Sequence, residues 1–436
     1  MQIPTFKEAL KFWVKLGFIS FGGPAGQIAI MHEYLVEKKK WISDSKFLHA
    51  LNYCMLLPGP EAQQLATYIG WRLHGTWGGL AAGIFFVLPS MFILLGLSII
   101  YVSFGKIPWI YAMFNGLKPA VIAIVILALI KLSKKSLNTT LHFVIALVAF
   151  VCIYFLKIQF PVIIFGTIIL AVIIQKVFPA LLKTVNGKSR LKVVDENEYY
   201  INYNSVYPDA GFKPIKLVKQ IVVFVVLWIL PIASFNLFAT DFTFWKQLSV
   251  FFTKAAFVTI GGAYAVLPYV AQVSVEKFEW LSKLQMIDGL ALGETTPGPL
   301  IMVLAFVGFM AGYNHFGFSL ALGSLGLLTT TFYTFLPCFF FIFAGGPIIE
   351  KSQDNAKLKE VLSLVTAAVV GVVLNLSIYF GMAVIFPFGE VVAEMDFVAL
   401  AWILISLLAM CRFKIGMITW IAISAVFGLI HFLIAG

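Results

Sequence analysis

The 436-residue chain is 61% hydrophobic and only 12% charged, whereas a soluble domain carries about 25% charged residues. A soluble core cannot bury that much apolar surface, but lipid can cover it. The net charge of +11 comes from basic residues in loops between apolar runs, which is typical of lysines that fix membrane topology, so we expect no nucleic-acid partner.

Apolar segments long enough to cross a bilayer follow one another along the whole chain. A transmembrane helix needs roughly 20 mostly apolar residues, and runs of this kind lie at 78–104, 109–132, 138–156, 159–176, 217–236, 317–343, 361–387, 396–411 and 415–435. Two further apolar regions, 10–75 and 245–315, are interrupted by Gly, Pro and polar residues. The sequence therefore predicts an all-α, polytopic integral membrane protein with interrupted helices.

A polar stretch at 177–216 divides the chain near its middle. We expect an N-terminal transporter repeat at 1–176, a polar cytoplasmic linker at 177–216 and a C-terminal transporter repeat at 217–436. Placing the lysine-rich loops in the cytoplasm is self-consistent along the chain. This topology puts the N-terminus inside and the C-terminus outside.

The two halves of the chain repeat each other in sequence. At a constant offset of 239 residues, Gly22-Gly23 matches Gly261-Gly262, Trp41 matches Trp280, and Pro58-Gly59-Pro60 matches Pro297-Gly298-Pro299. Since the topology starts the first repeat inside and the second outside, we predict that the half-repeats are inverted. Inverted repeats with interrupted helices are the architecture of secondary transporters, whose substrate site lies at the repeat interface near the bilayer midplane.

The interruptions indicate where a substrate would bind. Proline suits a helix start, so Pro60 and Pro299 are each expected to begin a helix. A helix start presents unpaired N–H groups and about half a positive charge, which together suit an anion. Two such starts from opposed halves would converge on one anion; the alternative is that they are ordinary kinks or loop turns.

Polar residues around these breaks complete the predicted anion site. Amides and hydroxyls can hold an oxyanion without the cost of a permanently buried charge. The predicted substrate-binding residues are Gly22, Gly23, Gln27, Asn52, Pro58, Gly59, Gln63, Gln64, Tyr68, Gly261, Gly262, Tyr264, Thr295, Thr296 and Gly298.

Four ionisable residues are candidates for proton coupling or for added charge, because such residues at membrane depth are functional by default. Glu61 and Glu294 are the candidate proton carriers, although Glu61 in a first helical turn could instead stabilise its own helix. Lys118 and Arg72 could add positive charge. Their alternatives are snorkelling for Lys118 and a place at the cytoplasmic end of its helix for Arg72.

Two motifs resemble signatures of the chromate ion transporter family. The first is FGGPAGQ at 21–27. The second, which matches almost letter for letter, runs from Asn52-Tyr53-Cys54 through LPGPEAQQLATYIG at 57–70. The paired halves are similar to the long-chain members of that family. The resemblance implies chromate export across a bacterial inner membrane, coupled to the proton gradient, that protects the cell. The second half departs from the first, since Thr295-Thr296 replace Leu56-Leu57 and Leu300 stands where Glu61 does.

Other functions remain as alternatives. The same fold could import or exchange sulfate or another tetrahedral oxyanion, and sulfate has the shape and charge of chromate. A passive channel also suits broken helices. A membrane enzyme lacks support, because neither H-E-x-x-H nor G-x-S-x-G occurs. No ATP-binding G-x-x-x-x-G-K motif appears either, so transport is expected to take its energy from a gradient or a partner. We therefore expect no catalytic residue, metal or cofactor, and the partners are a small oxyanion, protons and the lipid bilayer. The sequence leaves open whether the chain forms a homodimer.

Overall fold

The computed structural model describes residues 4–21, 23–178, 198–202, 214–349, 356–387 and 395–435. These residues form sixteen α-helices and no strand, which confirms the predicted all-α class. The helices are α1 Phe6–Ile19, α2 Gly23–His32, α3 Asp44–Cys54, α4 Glu61–Phe104, α5 Pro108–Ser136, α6 Thr140–Tyr154, α7 Phe160–Val177, α8 Pro214–Phe238, α9 Phe242–Val258, α10 Ala263–Gln272, α11 Lys283–Thr295, α12 Val303–His315, α13 Leu320–Ile349, α14 Ala356–Ile385, α15 Phe397–Cys411 and α16 Met417–Ala435.

Several of these helices have the length and composition of membrane spans. Within the described ranges, seven are long and apolar enough to cross a bilayer, and they belong to α4, α5, α7, α8, α13, α14 and α16. Each of the nine apolar runs predicted from sequence coincides with a helix. The runs at 138–156 and 396–411, however, became the 15-residue helices α6 and α15, which are shorter than the seven helices that could span a bilayer. The chain is therefore a multi-pass membrane protein.

The repeat seen in the sequence is also a repeat of structure. The helices α1–α3 correspond to α9–α11 at the offset of 239 residues, and both copies carry a π-helical turn, at Glu33–Lys38 and at Val273–Lys277. Lys40 and Glu279 follow these turns with the same left-handed φ of 51°. The prediction of two repeats is confirmed, with α8 standing alone between them. The membrane orientation of the repeats and the limits 1–176, 177–216 and 217–436 stay predictions.

The first part of α4 folds back on the second. His74 and Gly75 have non-helical backbone angles, so α4 consists of a short arm at 61–73 and a long helix that ends at Phe104. In a straight helix, residues 70 and 78 would lie about 12 Å apart. Instead, a Cβ added at Gly70 would lie 2.5 Å from the Gly78 carbonyl oxygen. The chain therefore reverses at Gly75, which has φ +63°.

The second repeat builds the same hairpin from two separate helices. The arm is α12 and the long helix is α13, with Gly308 against the backbone of Gly326. Small residues allow helix backbones to approach closely, which is how helices associate in lipid without a hydrophobic driving force between them. Both arms are short: 61–73 rises about 18 Å at 1.5 Å per residue.

One part of the linker region packs on the first repeat. Of 177–216, the structure describes a short segment at 198–202 besides the flanking helix ends. The Ile201 N–H donates to the Trp41 carbonyl at 2.9 Å, and the Ser43 N–H donates to the Ile201 carbonyl at 2.9 Å. Ile201 is buried, and Lys40 pairs with Glu198. In the second repeat the matching Trp280 carbonyl accepts instead from the Asn314 amide at 2.7 Å.

Candidate functional site

Each Pro-Gly-Pro break donates a backbone hydrogen bond across the repeat interface to the segment just before the glycine pair of the other repeat. The Gly59 N–H of the first repeat donates to the Thr259 carbonyl of the second at 2.7 Å. The Gly298 N–H of the second repeat donates to the Ser20 carbonyl of the first at 2.8 Å. Ser20 and Thr259 are themselves repeat equivalents, so the two bonds form a reciprocal pair. The structure therefore joins the Pro-Gly-Pro break of each repeat to the end of the first helix of the other repeat.

Each break is followed by a helix start, as predicted. The helix α4 begins at Glu61, and its first helical hydrogen bond runs from the Gln64 N–H to the Pro60 carbonyl at 3.1 Å. In the second repeat a 3₁₀ turn begins at Leu300 and leads into α12. Both prolines occupy the capping position just before the helix, and neither cap donates or accepts a side-chain hydrogen bond. The first-turn amides of α4 are therefore left without an intrahelical acceptor.

Two glutamines satisfy carbonyl groups that the breaks would otherwise leave unpaired. The Gln64 side chain donates to the Pro58 carbonyl at 2.6 Å. The Gln27 side chain donates to the Gly298 carbonyl at 2.6 Å. Both glutamines are almost fully buried. Their first task is thus to brace the broken backbone, because an unpaired carbonyl in an apolar interior costs about 1–3 kcal/mol.

The glycines at the breaks are required by the backbone. Gly59 has φ +119° and Gly298 has φ +105°, a region that L side chains rarely adopt. A Cβ at Gly59 would lie 2.7 Å from Cys338 Sγ, and a Cβ at Gly298 would lie 2.5 Å from Ser90 Oγ. Further along the chain the offset between the halves becomes 248 residues, so that Pro89 matches Pro337 and Ser90 matches Cys338. Each break therefore packs against the long helix of the other half.

The glycine pairs have more open surroundings. Gly23 and Gly262 both have positive φ, and a Cβ at either would meet no atom within 4 Å. A Cβ at Gly261 would meet Thr366 at 3.7 Å, which is ordinary contact. The space next to these glycines, which are only partly buried, is therefore open. Gly22 lies outside the described residues.

Polar side chains on the first repeat line the short arm of α4. Gln63 donates to the Thr67 hydroxyl at 3.2 Å, and Thr67 donates back to the Gln63 carbonyl at 2.9 Å. Both side chains are fully buried. A glutamine amide carries two N–H donors, and this contact uses one of them. Tyr68, one residue further, is 5% exposed.

The second repeat supplies a carboxyl group and three hydroxyls. The Tyr264 hydroxyl donates to Glu294 Oε1 at 2.7 Å, and Glu294 is buried. The Thr295 and Thr296 hydroxyls both donate to the Leu292 carbonyl, at 2.8 and 2.7 Å. The halves therefore differ in chemistry, because buried glutamine amides lie on the arm of α4, whereas a buried carboxyl group bonded to a tyrosine hydroxyl lies at the end of α11.

The predicted residues Asn52, Glu61 and Arg72 differ in burial and in their position relative to the first Pro-Gly-Pro break. Asn52 is exposed on α3. Glu61 is the first residue of α4 and half-buried. The guanidinium of Arg72 is buried at the reversal of α4, 4.5 Å from the Trp71 ring centre and 5.2 Å from that of Tyr68. The positive charge of Arg72 therefore lies against two aromatic rings, at the opposite end of the arm 61–73 from the Pro-Gly-Pro break.

Lys118 has a partner that the sequence reasoning missed. Its Nζ lies 3.9 Å from Asp288 Oδ1, and both side chains are only 7% exposed. Lys118 also donates to Asn115 Oδ1 at 2.7 Å, while Asp288 Oδ2 accepts from the Tyr101 hydroxyl at 2.9 Å. The pair joins α5 of the first repeat to α11 of the second. The signal was present, since Asp288 is a lone acid in the apolar run MIDGLAL.

Two segments of the chain, residues 7–173 and 246–429, match the family model described as chromate transporter. Together they span most of the chain and coincide with the two structural repeats. The chain belongs to the chromate transporter family. The family assignment predicted from the two sequence motifs is confirmed. The family consists of transporters, in agreement with the expectation that the chain is not an enzyme.

Curated relatives of this family cover most of the chain. A chromate transport protein of Cupriavidus metallidurans is 28% identical over 372 residues, which is 85% of this chain and 81% of that protein. A probable chromate transport protein of Synechococcus elongatus is 27% identical over 86% of this chain and 85% of its own length. The chromate transport protein of Pseudomonas aeruginosa is 28% identical over 85% of this chain and 79% of its own. No solved structure matches the chain.

Proposed function

We propose that this protein is a secondary active transporter that exports chromate across the bacterial inner membrane by proton antiport, and that it thereby gives chromate resistance. The observation that carries the proposal is the reciprocal pair of hydrogen bonds by which each Pro-Gly-Pro break contacts the segment just before the glycine pair of the other repeat. Broken backbone at membrane depth is tolerated only inside protein or beside water, and two broken segments facing each other across a repeat interface are typical of transporter sites.

The breaks belong near the middle of the bilayer. The arm 61–73 rises about 18 Å from the turn at Gly75 back to its start, and half of the hydrocarbon thickness is about 15 Å. The matching arm of the second repeat has a similar length. If α8 reverses the orientation of the second repeat, the two turns lie on opposite faces and both breaks reach the midplane. This arrangement supports inverted half-repeats and alternating access.

The proposed anion ligands are the first-turn amides of α4, the second N–H of the Gln63 amide, and the open backbone at Gly23 and Gly262. These donors are neutral, so they release the anion without leaving an unpaired buried charge. Glu294, held by Tyr264, and Glu61, at the start of α4, are the proposed proton carriers. A carboxylate beside an anion site repels the anion when ionised, which would link proton and anion binding.

Sulfate is the substrate to be tested against chromate, since both are tetrahedral dianions and the donors above recognise shape and charge. The experiment is uptake of labelled chromate into proteoliposomes or inside-out vesicles, with an imposed pH gradient and excess sulfate. Gradient-driven uptake that sulfate barely inhibits is the expected result. Absence of uptake, or complete inhibition by sulfate, would assign the protein to another oxyanion. Uptake that ignores the pH gradient would refute the antiport mechanism.

A further inference from the structure

The helix α8 is attached to the rest of the protein along one side only. None of its residues is fully buried. It packs against α13 and α9, and the Gln220 side chain donates to the Phe343 carbonyl at 2.8 Å. It does not close against α4, which leaves a crevice of about 840 Å³ between α4, α8 and α13.

Most of this crevice is apolar along its length. Its walls include Leu80 and Val87 of α4, Val223 and Leu227 of α8, and Phe335 and Phe339 of α13. Water gains no hydrogen bonds on such apolar walls. Hydrocarbon is the medium that matches it, so an acyl chain is the chemically suitable occupant.

One end of the crevice differs from the rest. Lys216, Lys219 and Gln220 lie at the start of α8, and Trp71 and Thr76 lie at the reversal of α4. Trp77 beside them is 77% exposed. Lysine with tryptophan is the composition of a membrane–water interface, and basic pockets between transmembrane helices bind anionic headgroups. The polar end thus fits a phosphate at the depth where headgroups lie.

We propose that this crevice binds one anionic phospholipid, with an acyl chain between α4, α8 and α13 and the phosphate at Lys216 and Lys219. The charge at the mouth selects an anionic over a zwitterionic lipid, and the apolar walls require a chain. This site is separate from the interface between the breaks, and the proposal requires only that the chain spans a membrane.

The lipid would contact the rear of the arm that carries the candidate anion ligands. The crevice wall includes Gly83, where an added Cβ would collide with both the Thr67 hydroxyl and the Phe339 ring. Thr67 in turn holds Gln63. An acyl chain packed against Gly83 and Phe339 therefore supports the arm at 61–73 from behind, so bound lipid and transport activity should vary together.

The test is native mass spectrometry of the full chain, exchanged into mixed phosphatidylglycerol and phosphatidylcholine. Wild type should retain phosphatidylglycerol preferentially. The double variant Lys216→Ala/Lys219→Ala should bind it about 30-fold more weakly, given the attraction of each lysine to an anionic lipid surface. The matched control is Lys134→Ala/Lys135→Ala, which removes the same charge from exposed positions of α5 away from the crevice.

A second pair of variants tests the acyl chain. Val223→Trp should fill the crevice and displace the lipid. Val225→Trp makes the same change two residues along α8, on the opposite side of the helix and 41% exposed, and it should leave the lipid bound.

Three outcomes would overturn the proposal. The first is equal retention of the two lipids by wild type, and the second is an equal loss in both lysine double variants. The third is a dimer that covers the crevice and carries no lipid, since a second copy would then be the occupant. Chromate uptake is read separately, so a failed lipid site and a failed transport function remain distinguishable.

Discussion

The buried ion pair between Lys118 and Asp288 allows a quantitative prediction. The 3.9 Å separation corresponds to about 4 kcal/mol of attraction at an effective dielectric constant of about 20. Removing one partner leaves the other charge buried and unpaired, which typically costs about 3–5 kcal/mol. We therefore expect Asp288→Asn and Lys118→Met each to destabilise the protein by about that amount.

The double variant separates the pair from its individual members. When both charges are removed together, no uncompensated charge remains, and replacing a buried pair by neutral groups is often close to neutral. The amide oxygen introduced at position 288 would still accept the hydrogen bond from the Tyr101 hydroxyl. We expect Lys118→Met/Asp288→Asn to recover at least half of the stability lost in either single variant.

The assay is thermal unfolding of the full chain in one fixed detergent, carried out as a double-mutant cycle. The reasoning predicts midpoints several degrees lower for the single variants and a midpoint near wild type for the double. It is refuted if the single variants lie within about 0.5 kcal/mol of wild type, as surface changes do. It is also refuted if the loss in the double variant equals the sum of the single losses, because that result means no coupling.

Three further predictions concern the breaks and the linker. Gly59→Leu and Gly298→Leu should abolish anion binding, measured by equilibrium dialysis, because the positive φ and the contacts with Cys338 and Ser90 exclude a side chain. The control is Gly96→Ala, where an added Cβ has no atom within 4 Å. Normal binding in both leucine variants would exclude the proposed site. Glu61→Gln should flatten the pH dependence of uptake but leave binding at about the wild-type level; an unchanged pH profile would show that Glu61 only stabilises its helix. Ile201→Asp should release the linker from Trp41 and Ser43 and increase protease cleavage at 198–202. The control is Glu198→Gln, an isosteric change at an exposed position of the same segment, which should be cleaved at nearly the wild-type rate. Equal cleavage rates in the two variants would contradict the docking of this segment.

Hydropathy was enough to find the membrane helices, because the bilayer imposes one rule on every span. The runs at 109–132 and 217–236 became α5 and α8 with small shifts at their ends. The repeat was equally visible, because residues such as Trp41 and Trp280 match at a constant offset. The structure gives both tryptophans the same backbone contact, a 2.8 Å hydrogen bond from the tryptophan N–H. Both features can be found without knowing how the helices pack, because they depend only on hydropathy and on residue identity along the chain.

The sequence by itself determined the class of the protein, its two repeats, the helix starts after Pro60 and Pro299, and the family. Only the tertiary structure decided that Gly59 pairs with Thr259, that Asp288 is the partner of Lys118, and that α4 folds back at Gly75. These contacts join residues on different helices, often in different repeats, and their geometry depends on how the helices pack. Local patterns fix which residues are helical and apolar, but they do not fix which faces meet, and that choice sets the chemistry of the site.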